Sequence, residues 1–310
     1  MADAAVEADS VLPPDGAEYP QVLRGAGYSW KWSLLGVLFG VSLFFLMTQV
    51  ISQLVVSAAW SIAGDGVAYA EFRRGALGFE RPSGMLGANL GIAFLIPISF
   101  VLLAIIHRVR RRWLMSVQPR LRWRYLLLCV GVALVALNGV LALSTLVSTT
   151  PVFGAQQGFW GFLVVIVLTS PLQAAAEEVF FRGYLMQALG SLVAQPWFGV
   201  VTSALIFALF HGTQNLPLFV DRLAFGLLAG VLVWRTGGLE AGIAAHVVNN
   251  ICAYVLAGLT TSIASVRAIQ QIGWLDTVFD VGGFALFAVL ALLLARKMQL
   301  RTRVDLALAR

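Results

Sequence analysis

Residues 159–184 read FWGFLVVIVLTSPLQAAAEEVFFRGY. The apolar run at 159–176 is long enough to cross a lipid bilayer as a helix. It continues directly into two adjacent carboxylates, Glu177 and Glu178, and then into Arg182. Charged side chains in the hydrocarbon core cost at least several kcal/mol, so they are kept there for a reason. The stretch therefore predicts a transmembrane helix that carries a functional polar group.

The whole chain has the composition of a membrane protein. Of its 310 residues, 59% are hydrophobic and only 12% are charged, whereas a soluble domain has about 25% charged residues. We therefore predict an all-α fold, a polytopic transmembrane bundle of about eight spans in contact with membrane lipid. The predicted spans cover residues 32–56, 84–106, 125–147, 159–176, 197–210, 216–234, 239–259 and 278–295.

The chain divides into a membrane domain and two tails. Residues 1–27 are polar and acidic, which predicts a disordered N-terminal tail. Residues 28–298 form the transmembrane domain, in which residues 159–259 carry the polar motifs described below. Residues 299–310 form a basic C-terminal tail. Within the second span, Pro97 is expected to kink the helix.

Charge predicts the orientation of the chain in the membrane. The net charge is +6, and the most basic loop is expected on the cytoplasmic side. An even number of spans then places both termini there as well. Nucleic-acid binding is disfavoured because there is no large soluble basic domain. The basic residues of this loop are His107, Arg108, Arg110, Arg111, Arg112, Arg120, Arg122 and Arg124.

Two polar pairs at helical spacing stand out in the apolar C-terminal half. Glu178 and Arg182, at i and i+4, share a helix face and are expected to pair. Glu177 is rotated by about 100° from Glu178 on an α-helix and should have no local partner, which suits a general base. His246 and Asn250 are also at i and i+4 and share a face. The alternative without a functional role is that both glutamates are solvated at the membrane interface.

Histidine placement strengthens the functional interpretation. The chain has only three histidines, and His211 and His246 both fall in this half, on separate predicted spans. A carboxylate can take a proton from water, an imidazole can hold that water, and a second imidazole with an amide can donate to an oxyanion. Alternatively, Glu177, His211 and His246 could bind one Zn ion that lowers the pKa of its water. No serine or cysteine lies convincingly beside a base, so a nucleophile triad is disfavoured.

Three ordered motifs resemble those of the CAAX prenyl protease 2-like family, also called CPBP or Abi, which includes bacteriocin-immunity-type proteins. The motifs are Glu177-Glu178-x-x-x-Arg182, Phe207-x-x-x-His211 and His246-x-x-x-Asn250. The resemblance implies an eight-helix bundle in the plasma membrane and intramembrane endopeptidase activity. The substrate would be a membrane-associated protein or peptide, which is prenylated in the case of the eukaryotic members. By motif position, Glu177 and His211 would activate water, His246 and Asn250 would stabilise the oxyanion, and Glu178 and Arg182 would support the site. The motifs leave open a zinc and a metal-free mechanism.

Other functions and residues stay open at this point. The same fold could serve as a non-catalytic membrane scaffold or immunity-type protein, whereas a transporter is disfavoured because no inverted repeat is visible. Asp221 and Arg222 are expected either to pair or to reach the interface. Asn89, Asn138 and Gln173 are expected to make structural hydrogen bonds between helices. Substrate identity and oligomeric state are not indicated.

Overall fold

The computed structural model describes residues 11–64, 66–118, 120–147 and 151–308. Helices account for 74% of the chain, and the described residues contain isolated β-bridges but no strand. The predicted all-α class is therefore confirmed. The helices are α1 (Trp30–Ala63), α2 (Tyr69–Leu77), α3 (Pro82–Ala93), α4 (Leu95–Ile106), α5 (Arg112–Met115), α6 (Trp123–Ser144), α7 (Phe159–Glu177), a π-helical segment (Glu178–Leu185), α8 (Met186–Gly190), α9 (Pro196–Leu209), α10 (Leu216–Thr236), α11 (Glu240–Thr260), α12 (Ile263–Arg267) and α13 (Trp274–Lys297).

Seven helical stretches of the described chain are long and apolar enough to cross a membrane: α1, α3 with α4, α6, α7 through α8, α10, α11 and α13. The remaining predicted span is α9, which is apolar but only 14 residues long. Near its start, the ring of Trp197 lies 4.7 Å from that of Trp234 near the end of α10, so the two helices run antiparallel. The architecture is consistent with the predicted bundle of about eight spans.

Proline explains the break in the second span. Helix α3 ends at Ala93 and α4 begins at Leu95, with Phe94 between them. Pro97 has no N–H to donate to the carbonyl of Ala93, four residues earlier, so the helical ladder is interrupted there. The expected kink at Pro97 is present.

Residues 11–27 pack against one end of the bundle, which contradicts the disorder expected for this part of the tail. Tyr19 and Val22 have no exposed surface. The backbone of Val304 is joined to this segment by two hydrogen bonds of 2.9 Å each. Burial of a few apolar side chains among the helix ends outweighs the acidic composition of the segment. Residues 1–10 of the predicted tail lie outside the described residues.

The segment that begins at Val11 and the described part of the C-terminal tail meet at the same end of the bundle as the basic loop. Val11 donates its backbone N–H to the carbonyl of Arg108 at 2.8 Å, and Arg303 of the C-terminal tail forms an ion pair with Glu18 at 2.9 Å. This arrangement is what an even number of membrane crossings requires. It places the N-terminal segment, the basic loop and the C-terminal tail on one side of the molecule.

A buried ion pair at this end fixes the start of α11. Arg122 donates from Nε to one carboxylate oxygen of Glu240 at 2.8 Å and from a terminal nitrogen to the other at 2.5 Å. A second terminal nitrogen donates to the backbone carbonyl of Thr236 at 2.7 Å. The pair thus joins α6, the end of α10 and the start of α11. Because α11 carries His246 and Asn250, this anchor also positions the site.

We predict that Arg122→Ala destabilises the protein by about 3–5 kcal/mol, because the substitution leaves the buried Glu240 carboxylate without its partner. The matched control is Arg124→Ala, since Arg124 is an exposed arginine of the same loop and its loss should cost less than about 0.5 kcal/mol. The measurement is the free energy of unfolding in mixed micelles. Equal effects of the two substitutions would show that the pair does not anchor α11.

Candidate active site

The site is built on a change of helix type. After Glu177 the backbone passes from α-helix into the π-helical segment, and all eight residues of that segment are buried. Single π turns inside α-helices are frequent at functional sites. A π turn contains more residues than an α turn, so successive side chains are separated by less than 100°. Glu177 and Glu178, at the junction, can therefore face the same neighbour.

That neighbour is His246 of α11. Its Nδ1 lies 2.8 Å from a carboxylate oxygen of Glu178, and its Nε2 lies 3.3 Å from a carboxylate oxygen of Glu177. The three residues are at most 9% exposed. The sequence indicated that Glu177 points away from Glu178, and this expectation is wrong: both carboxylates meet one imidazole. The contact joins two helices that are far apart in sequence, which is why spacing alone did not reveal it.

Arg182 completes this cluster on the side of Glu178. The predicted i, i+4 pair is present, with a terminal nitrogen of Arg182 3.1 Å from the Glu178 carboxylate. The guanidinium is fully buried between two aromatic rings, 4.0 Å from the centroid of Phe207 and 5.0 Å from that of Phe225. Such cation–π contacts stabilise a desolvated cation. Phe207 belongs to a motif, whereas nothing in the sequence singled out Phe225.

Phe225 also touches the central imidazole. Its ring meets the ring of His246 edge-on at a centroid distance of 5.0 Å. Phe207 lies 6.3 Å from His246 and 4.6 Å from His211, again with rings close to perpendicular. The two phenylalanines therefore separate the charged cluster from the surrounding helices and restrict how the imidazoles can turn.

Asn250 lies one turn beyond His246 and is held by a residue from α7. Its side-chain nitrogen donates to the carbonyl oxygen of Gln173 at 2.9 Å. Gln173 lies on α7 one helical turn before Glu177. We expected Gln173 to make a structural hydrogen bond between helices. It does, and the bond places it directly in the site.

His211 lies just beyond the end of α9 and is exposed. Its Nδ1 donates to the backbone carbonyl of Phe207 at 2.8 Å, because a carbonyl oxygen can only accept. In the neutral ring, Nε2 then carries the lone pair. Within the described residues, His211 makes no hydrogen bond to Glu177 or His246. It is connected to the cluster through the ring of Phe207, which it contacts.

The arrangement does not match a zinc site. In the described part of the chain, no group of three or more His, Cys, Asp and Glu side chains is close enough to hold a metal ion. The tentative ligand set Glu177, His211 and His246 is therefore not gathered, although zinc needs three or four converging donors. Both nitrogens of His246 already face carboxylates. We derive no chemical step through a metal.

Asp221 and Arg222 lie on α10, close to the site but outside the cluster. They form no ion pair with each other in the described structure, so the expected pairing is absent. One oxygen of Asp221 and the Nε of Arg222 are buried without a hydrogen-bond partner. Asp221 faces a cavity on the far side of α11.

The segment that carries these side chains is similar to known proteins. The aligned part of a relative from Bacillus subtilis (strain 168), the uncharacterized protein YyaK, is 31% identical over 111 residues. These residues are 33% of this chain and 37% of YyaK, so the similarity spans little more than a third of the relative's length. Residues 158–252 match the family described as type II CAAX prenyl endopeptidase Rce1-like, and this range contains all three motifs. The predicted resemblance to CAAX prenyl proteases is therefore confirmed for this segment.

Proposed function

We propose that this chain is an intramembrane endopeptidase that hydrolyses a peptide bond of a membrane-associated protein or peptide with water activated by Glu177. The observation that carries the proposal is the buried contact of Glu177 and Glu178 with one imidazole, His246, inside a segment that matches a prenyl endopeptidase family. A prenylated peptide of the CAAX type is the substrate class to test first.

In the proposed mechanism, Glu177 is the general base. The site is apolar on most sides, and His246 holds the carboxylate in place from 3.3 Å. Glu177 takes a proton from water as the oxygen attacks the scissile carbonyl, and it later returns that proton to the leaving amine. The Nε2 lone pair of His211 is the second acceptor for this water. Contacts that are long without substrate commonly shorten when the substrate is bound.

The oxyanion of the tetrahedral intermediate needs preorganised donors. Asn250 has two amide N–H groups, and Gln173 accepts only one of them, so the other is available to the oxyanion. Glu178 accepts from Nδ1 of His246 and fixes the ring. With His246 as an imidazolium, its second proton, on Nε2, contacts Glu177 before the reaction and is donated to the oxyanion once Glu177 has taken up the proton of water. Arg182 balances the charge of Glu178 and supports the site without contacting substrate.

The orientation follows from the same proposal. The basic loop and both chain ends lie at one end of the bundle, and positive charge favours the cytoplasmic side. We therefore place both ends in the cytoplasm and the protein in the plasma membrane. Fusion of a reporter that is active only in the cytoplasm to each end tests this orientation.

We predict that Glu177→Gln lowers the turnover of a farnesylated fluorogenic CAAX-type peptide in proteoliposomes by about 10²–10⁴-fold, the range that general base catalysis contributes. The amide keeps the size of the side chain but cannot take up the proton. The matched control is Glu71→Gln on α2, because Glu71 is exposed and lies outside the cluster.

Unchanged turnover in the Glu177→Gln protein would contradict the proposed mechanism. If the variant also retained full biological activity in a complementation assay, the non-catalytic scaffold or immunity-type function would be favoured instead. Folding of each variant is checked by its elution as a monodisperse species in detergent.

We further predict that cleavage survives treatment with a strong chelator and that the purified protein contains far less than one zinc ion per chain. The reason is the donor geometry, since the glutamate and histidine side chains do not converge on one point. Elemental analysis and turnover are measured on the same sample. A stoichiometric zinc ion that is lost together with activity would overturn the metal-free mechanism.

A further inference from the structure

A cavity of about 420 Å³ lies between α6, α10, α11 and α13. Its wall is partly aliphatic and aromatic, but each of the four helices also contributes a polar side chain. No lysine or arginine is among the described residues that line it. We call the cavity the acidic vestibule and define it by its polar residues Asn138, Asp221, Asn249 and Asp280.

The acidic vestibule adjoins the site at two neighbouring asparagines. Asn249 lines the cavity, and its side-chain nitrogen donates to the side-chain oxygen of Asn250 at 3.3 Å. From there the cavity follows α11 to Thr260 and Thr261, at the end of the helix opposite Glu240. The cavity therefore lies on the side of the site that faces away from the basic loop.

The lining requires a polar occupant. One carboxylate oxygen of Asp221 is buried and has no hydrogen-bond partner among the described residues. Buried polar atoms of this kind are normally satisfied by ordered water. A lipid acyl chain would leave this buried carboxylate oxygen without a hydrogen bond, which is costly in the bilayer. A water molecule occupies about 30 Å³ in the liquid, so the volume is sufficient for several.

The site needs such a supply of water. Glu177, Glu178 and His246 are at most 9% exposed, yet each hydrolysis consumes one water molecule. The exposed side of the site is at His211, where a peptide has to approach. A bound substrate covers that side, so water requires a second entrance.

We propose that the acidic vestibule is the route by which water reaches Glu177 from the aqueous phase on the side opposite the basic loop. Water passes Asp221 and Asp280 and reaches the asparagine pair beside the reacting carbonyl. The use of this water for hydrolysis rests on the proposed peptidase activity. The hydration and negative charge of the vestibule do not depend on that activity.

The natural cysteines allow a direct test. Cys252 lines the acidic vestibule, whereas Cys129 is fully buried elsewhere. Two membrane-impermeant methanethiosulfonates, one with a trimethylammonium group and one with a sulfonate group, are applied to proteoliposomes. In each case the thiolate attacks the reagent sulfur, a mixed disulfide forms and methanesulfinate leaves. Mass spectrometry of the intact protein gives the rates.

We expect the cationic reagent to modify Cys252 about tenfold faster than the anionic one, because a cleft with carboxylate walls concentrates cations. The double variant Asp221→Asn, Asp280→Asn should remove this preference while Cys252 still reacts. Cys252→Ser should not react. Equal rates for the two reagents in the wild type, or modification only by a lipid-soluble maleimide, would overturn the proposal.

A second measurement tests whether the acidic vestibule supplies the water used in catalysis. The bulky trimethylammonium adduct on Cys252 should lower peptide turnover at least fivefold relative to the Cys252→Ser protein treated in the same way. Unchanged turnover after complete modification would show that the acidic vestibule is not the water route. Labelling is repeated on Glu177→Gln, so a failure of the peptidase proposal is separable from a failure of the vestibule proposal.

Discussion

An imidazole held between two buried carboxylates is the interaction on which the rest of the site depends. His246 contacts Glu178 through one ring nitrogen and Glu177 through the other, and Arg182 compensates the charge of Glu178. Charged groups in a low-dielectric interior are tolerated only when they are paired, and removal of one partner is strongly destabilising. The cluster therefore requires α7 and α11 to keep one relative position, and the proposed hydrolysis uses the same position.

Several features of the fold serve this constraint. The π-helical segment turns both glutamates toward α11, and the ion pair of Arg122 with Glu240 fixes where α11 begins. The rings of Phe207 and Phe225 enclose the guanidinium of Arg182 and limit the motion of the imidazoles. A short α9 ends just before His211. Charge pairing and aromatic packing together preorganise the site before any substrate arrives.

Much of the fold could be predicted from the sequence, because the lipid bilayer restricts which backbone structures can cross it. Long apolar runs must be helices, so the fold class and most spans follow from hydropathy. The pairing of Glu178 with Arg182 follows from helical spacing. The contact between Glu177 and His246 does not, because it depends on a π turn and on a tertiary approach of two helices. For the same reason, the spacing of residues did not predict that Gln173 and Phe225 lie in the site. The packing of Tyr19 shows that an acidic composition does not decide order when a few apolar residues find a buried surface.

The central claim is most directly tested by a double-mutant cycle on Glu178 and His246, with Glu178→Gln, His246→Gln and the combined protein compared by their free energies of unfolding in mixed micelles. If the two side chains are coupled as the 2.8 Å contact requires, the cycle should give an interaction energy of at least about 1 kcal/mol. Effects that add to within about 0.5 kcal/mol would mean that the two groups are independent. That result would contradict the account of the site given above.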